Sequence, residues 1–183
     1  MSLVLASGSP RRLALLKELG LDPIVRVADI DETPRVGEAA SDYVERLAIE
    51  KGAAVESGAD EIVISADTIV VLDAELLGKP VNDAEAASML GRLSGRTHEV
   101  MTGVAVRRGD HVQSFVETTV VHFAPMSADD IAWYVATGEP ADKAGAYGMQ
   151  GRGGAFVVAI EGSYDNVIGL PRHRLRPLIF DPI

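Results

Sequence analysis

The chain has 183 residues, 47% of them hydrophobic, which suffices for one domain with a real core. Its 27 acidic and 17 basic residues give a formal net charge of -10, which repels the phosphate backbone of nucleic acids unless the basic groups gather in one place. With no cysteine, disulfides, thiolate-bound zinc and cysteine nucleophiles are excluded, and a metal would have to rest on carboxylates or histidines. No apolar run approaches the roughly 18 residues of a membrane span, and Ser2 to Ala6 is too short and uncharged for a signal peptide. The expectation is a cytosolic protein with neither a membrane nor a nucleic-acid partner.

Ser2 to Ala6 reads as a short strand. Ser9 then caps a helix with Pro10 at its first position, running to about Leu19 and closed by Gly20. A second helix spans about Ser41 to Ser57, with Arg46 and Glu50 paired on one face. Ile62 to Leu72 is an apolar, β-branched run that fits a buried strand, interrupted by Asp67. Asn82 starts a third helix, with Glu85 in a capping-box position and Gly95 at its end. Val100 to Arg107 and Val112 to Ala124 form a hairpin around Gly109 and Asp110, and Ser127 with Asp130 caps a helix ending near Gly138. Glu139 to Gly154 is glycine-rich. A strand over Ala155 to Ile160 and a short helix after Pro171 complete an α/β layer arrangement over residues 1–183, with no linker, repeat or low-complexity segment.

Three stretches could carry chemistry. In Ala6 to Arg12 a strand ends in small residues and a helix begins with Arg11 and Arg12 in its first turn. Cations are unfavourable at that positive end, and a bound anion would relieve them. Ser7, Ser9 and the two arginines could thus cradle a polyphosphate, or form an ordinary capped helix with exposed arginines. Asp67 is a carboxylate inside an apolar strand, which calls for a cation, a metal or hydrogen bonds, unless it merely bonds its own backbone at a strand end. In Asp142 to Gly151, three glycines surround Gln150, whose amide could read a base edge; the plainer reading is a flexible surface loop. Lys51, Lys79 and Glu32 each read singly as surface residues, and the four histidines show no metal-ligand spacing. No Walker loop, G-x-G-x-x-G or G-x-S-x-G is present.

In order, the strings A-S-G-S-P-R-R, E-R-L-A-I-E-K, A-D-T-I-V-V, L-G-K-P, L-S-G-R-T-H-E-V-M-T-G-V, E-P-A-D-K-A-G-A-Y-G-M-Q-G and G-S-Y-D-N-V-I-G-L-P resemble the Maf family of nucleotide pyrophosphatases, from Leu5 to about Pro171. The resemblance implies a single α/β domain with a central mixed sheet flanked by helices, two lobes around a cleft as in inosine triphosphatases, and a homodimer. It implies attack of water at the α-phosphorus of a nucleoside triphosphate, giving the monophosphate and pyrophosphate, with a divalent cation such as magnesium or manganese. Asp67 would activate the water, Asp67 and Glu32 would hold the metal, and Arg11, Lys51 and Lys79 would neutralise the triphosphate.

Arg12, Thr68 and Gln150 match the branch acting on dTTP and UTP, where the methylated-guanosine branch resembles S-P-W, S-D-Q and a late glutamate. Two other readings accompany the resemblance: a nucleotide-binding regulator of cell division, from the family's link to septum formation, and a scavenger of modified pyrimidine nucleotides. The chain departs from the family pattern at three places. Ala74 stands where a turn glycine is usual, Met149 replaces an isoleucine, and Arg172, His173, Arg174 and Arg176 make the C-terminal stretch basic, which reads first as a solvated helix face and otherwise as an added anion contact or partner site.

Overall fold

A computed structural model describes residues 2–58 and 60–180. The strands are β1 (Ser2–Leu5), β2 (Ile24–Val25), β3 (Glu61–Leu72), β4 (Glu75–Leu77), β5 (Thr97–Arg108), β6 (His111–Phe123) and β7 (Val157–Glu161). The helices are α1 (Pro10–Glu18), α2 (Ala40–Ala54), α3 (Asp83–Leu93), α4 (Ala128–Val135), α5 (Tyr164–Ile168) and α6 (Arg172–Phe180). They build the expected α/β architecture on one mixed, seven-stranded sheet ordered β2-β1-β3-β5-β6-β7, with β4 paired to β3. β1 runs parallel to β2 and β3, while β4 and β7 pair antiparallel with β3 and β6.

Along the chain two compact units are distinguished, the first comprising Met1–Thr68, Thr102–Glu117 and Gly169–Ile183, the second Ile69–Met101 and Thr118–Ile168. In the first unit, α2 lies close against β3 and β5, and two glycines make that possible. A side chain on Gly103 would overlap the backbone carbonyl of Val44, and a Cβ on Gly52 would stand 2.6 Å from Ser65 Oγ. The Ser65 hydroxyl instead donates to the Ala48 carbonyl at 2.6 Å, tying the strand to the helix one turn ahead of Lys51. In the second unit, the core gathers Val70 and Leu72 of β3, Leu90 and Leu93 of α3, Val100, Val121 and Phe123 of the long strands, and Tyr134.

The local start signals are where the sequence placed them. Ser9 accepts from the Arg12 N–H at 3.4 Å, Asn82 from Glu85 at 2.9 Å, and Ser127 with Asp130 forms a complete capping box. The return arm of Glu85 goes one residue further out, to the Val81 N–H at 2.7 Å. Helix α2 ends three residues before Ser57, where Val55 is already extended. The Leu72 to Glu75 hairpin turns on Asp73 and Ala74, with φ of 52° and 65°. This is the two-residue geometry that glycine or asparagine fills most easily, so alanine holds a left-handed conformation here at some steric cost. The basic C-terminal stretch is only partly a solvated face. Arg172 pairs with Glu18 at 2.5 Å, and Arg174 bonds Glu117 at 2.9 Å while its guanidinium lies 4.3 Å above the Phe115 ring.

Candidate active site

Asp67 sits near the middle of β3, only 8% exposed, in a strand that is apolar at most of its other positions and leaves its charge little water. Its partner is Lys51 from α2, whose ammonium nitrogen lies 2.6 Å from Asp67 Oδ1 and 2.9 Å from Glu32 Oε1. Three residues that the sequence offered separately thus form one carboxylate–ammonium–carboxylate chain. The helix-to-strand tie at Ser65 delivers Lys51, the strand delivers Asp67, and the loop ahead of α2 delivers Glu32. That loop is fixed by the Tyr43 hydroxyl, which donates to the Glu32 carbonyl at 2.9 Å. Burial, then the negative charges of Asp67 and Glu32, push the Tyr43 hydroxyl up to about 12, so it stays a neutral donor. Arg46, the second clamp on the loop, bonds Glu38 through Nε at 2.5 Å and Glu50 at 3.1 Å.

One residue beyond Asp67 the strand presents Thr68 to its opposite face, where it meets Arg12. Arg12 donates from Nε to the Gly169 carbonyl at 2.9 Å, from one terminal nitrogen to Ser7 Oγ at 3.0 Å and from the other to Thr68 Oγ1 at 3.0 Å. Burial lowers the Arg12 pKa and Asp67 acts in the other direction, but an arginine stays charged throughout. Ser7 Oγ also accepts from the Ser9 N–H at 3.2 Å. The turn from Ser7 to Arg12 is therefore an internally bonded structure in which Arg12 is a three-way tie, rather than an arginine standing in water. Arg11 beside it is half-buried.

Lys79 and Gln150 belong to the second unit, and both are exposed. Their segments are joined there, because the Gly145 N–H donates to the Gly78 carbonyl at 3.0 Å. The glycine-rich stretch is not a featureless loop. It contains three short 3-10 turns, Glu139–Asp142, Ala144–Ala146 and Arg152–Phe156.

Several residues at these sites have no signature in the sequence. Thr102, fully buried on β5, lies 2.9 Å from Thr68 through their hydroxyls. Tyr43, Ser65 and the Gly169 carbonyl likewise have no such signature. A buried hydroxyl inside a strand has no spacing signature, and only the fold reveals its partner.

Among the described residues no group of three or more histidine, aspartate or glutamate side chains could hold a metal ion. Asp67 and Glu32 nevertheless share one cation already, in the form of the Lys51 ammonium. Two carboxylates without sulfur or imidazole suit a hard divalent ion that keeps waters and takes its remaining ligands from substrate phosphates. The donor set fits such an ion.

The description "Maf-like protein" matches residues 2–181. A dTTP/UTP pyrophosphatase of Symbiobacterium thermophilum is 55% identical over 175 residues, covering 94% of this chain and 89% of its own. One of Myxococcus xanthus is 55% identical over 92% of this chain and 86% of its own, and one of Shewanella oneidensis 52% identical over 98% and 97%. Among solved structures, a HAM1 protein from Coxiella burnetii covers 100% of both chains with a TM-score of 0.57 at 18% identity, a likeness of fold alone. By the family match and by relatives sharing half their residues over nearly the whole chain, this protein belongs to the Maf family.

Proposed function

We propose that the chain is a nucleoside triphosphate pyrophosphatase that hydrolyses dTTP and UTP to the monophosphate and pyrophosphate. The observation that carries the reading is the Asp67–Lys51–Glu32 chain, a buried carboxylate held ready by one cation and a second carboxylate. Relatives at 55% identity named dTTP/UTP pyrophosphatase support an enzyme over a regulator of cell division.

Asp67 accepts a proton from water as the oxygen bonds the α-phosphorus, and the bond from that phosphorus to the bridging oxygen breaks, releasing pyrophosphate. Hydrolysis of this kind is mostly positioning and charge neutralisation, which Arg11, Lys51 and Lys79 supply toward the triphosphate. A magnesium or manganese ion held by Asp67 and Glu32 would, when bound, offset phosphate charge and polarise the reacting oxygens. The turn carrying Ser7 and Ser9 binds phosphate oxygens. Arg12, Thr68 and Gln150 set the preference for pyrimidines, Arg12 and Thr68 as the tied pair described above and Gln150 through its amide. The active form is a cytoplasmic homodimer in which residues 1–183 act as one domain.

The test is pyrophosphate release from a panel of standard and modified nucleoside triphosphates, with magnesium, with manganese and with chelator. Metal-dependent release from dTTP and UTP, with little from purines, is the expected result. No release from any nucleotide would leave the regulator reading in its place.

A further inference from the structure

Gln150 stands exposed in a segment whose bonds converge on one carboxylate. Glu139 Oε1 accepts from the Tyr134 hydroxyl at 2.8 Å and from the Gly153 N–H at 3.2 Å, while Oε2 accepts from the Arg152 N–H at 2.9 Å. The same Tyr134 oxygen accepts from the Gly148 N–H at 3.0 Å. The two ends of the segment from Gly148 to Gly153 are thereby joined through one phenol and one carboxylate, with Gln150 between them. Burial pushes the Glu139 carboxyl up, but the Arg152 N–H, the Tyr134 hydroxyl, the Gly153 N–H and the Lys143 charge together outweigh it, and the net shift is downward. An ionised carboxylate accepting backbone N–H groups forms strong, directional bonds, as an oxyanion does in a catalytic nest.

We propose that Glu139 is a positioning residue for specificity: with Tyr134 it holds the loop in the shape that presents the Gln150 amide to the base. The inference rests on the reading of Gln150 as the base-reading residue. A side-chain amide discriminates bases only when its donor and acceptor are held within a fraction of an ångström, and a loop ordered at the moment of binding loses affinity to the entropy of ordering. Glu139 removes that cost in advance. It does not touch the reacting atoms, so its loss weakens recognition more than chemistry.

The experiment uses the full chain and compares kinetics on dTTP and dGTP for Glu139→Gln, Gln150→Ala and the double variant, with melting temperature alongside. Glu139→Gln keeps the side chain's shape and removes the charged acceptor. It is expected to raise KM for dTTP roughly tenfold, with kcat changed less than about threefold, and to lower the dTTP-over-dGTP ratio of kcat/KM about as much as Gln150→Ala does. In the double variant the two losses should not multiply, because both act through one side chain. Should Glu139→Gln fail to fold, Tyr134→Phe removes the second member of the hub, and a smaller loss in the same direction is expected. A lowered melting temperature with unchanged discrimination would overturn the proposal, as would losses that multiply in the double variant. Unchanged discrimination in Gln150→Ala would instead remove the base-reading role of Gln150, on which the proposal depends, and so separates that failure from the failure of Glu139.

Discussion

Lys51 and Asp67 meet at 2.6 Å, each with only 13% and 12% of its side chain exposed, and Glu32 closes on the same ammonium at 2.9 Å. A buried carboxylate in a strand is costly unless compensated, and here its compensation comes from a helix held one turn away by the Ser65 bond. The arrangement gives Asp67 both a reason to be tolerated in the fold and a position from which to take a proton. Asp67→Asn, nearly identical in shape, is expected to lower kcat for dTTP by roughly 10²–10⁴, the usual contribution of a general base. Its far-ultraviolet circular dichroism should stay unchanged. Turnover at the parental rate in that variant would remove Asp67 from the mechanism.

Lys51→Met leaves Asp67 and Glu32 without their shared cation. Breaking the pair from the basic side strands a buried negative charge, at a cost of roughly 2–3 kcal/mol after allowing for the half-exposed Glu32. Urea denaturation reads this directly, and a variant as stable as the parent would show that Lys51 is not what compensates Asp67.

The tie at Arg12 is expected to matter for stability as much as for substrate. Arg12→Ala removes three side-chain bonds, to Gly169, Ser7 and Thr68, at about 2–4 kcal/mol. Arg12→Lys should recover little of it, since a single ammonium cannot reproduce three donors fixed in a plane. Thr102→Val, which exchanges the hydroxyl beside Thr68 for a methyl group, should cost about 1 kcal/mol, whereas Thr102→Ser keeps that hydroxyl and loses instead the packing of a fully buried methyl. Full recovery in Arg12→Lys would mean that charge alone, and not the planar fork, is required.

What the sequence revealed and what it concealed divide along a physical line. Ser9, Asn82 and Ser127 each act on the N–H group three residues on, so their helix starts were legible without the fold. Asp67 was legible because a carboxylate amid Ile62 to Leu72 contradicts its surroundings. Strand β4 was not, because its turn uses Asp73 and Ala74 where a hairpin usually announces itself with glycine or asparagine. Helix α5 has five residues, too few for any periodicity. Thr102 and Glu139 were hidden for a different reason: each acquires its role from a partner that only the folded chain brings near. Glu139 reads as an ordinary charged residue in E-P-A-D-K, and the Tyr134 hydroxyl that makes it a hub lies on the preceding helix.

Gly103 is expected to admit no side chain. A Cβ there would overlap the Val44 carbonyl oxygen and crowd the next backbone nitrogen, so α2 would have to move off β5. Overpacking of this kind costs typically about 1–3 kcal/mol, and here it falls on rigid backbone. Because α2 carries Lys51, Gly103→Ala should lower both melting temperature and kcat, and a variant with parental stability would show that the helix can shift freely.

The last expectation concerns acid. His98 is buried against Phe123 and Tyr147, with ring centroids at 5.0 and 5.4 Å and Nε2 at 2.8 Å from the Tyr147 hydroxyl. Burial, with a smaller push from His122, pulls its pKa down to about 4 from an ordinary 6.5. The folded protein thus holds His98 neutral where the unfolded chain would already protonate it. The stability contributed by keeping it neutral is fully present above about pH 6.5 and is lost as pH falls toward 4, roughly 3 kcal/mol across that window. Below about pH 4 both states bind the proton and this contribution stops changing. His98→Gln removes the titrating group, so between pH 6.5 and 4 its stability should fall less steeply than that of the parent, whatever its absolute value. Parallel curves for the two proteins across that range would show that His98 does not take up its proton on unfolding.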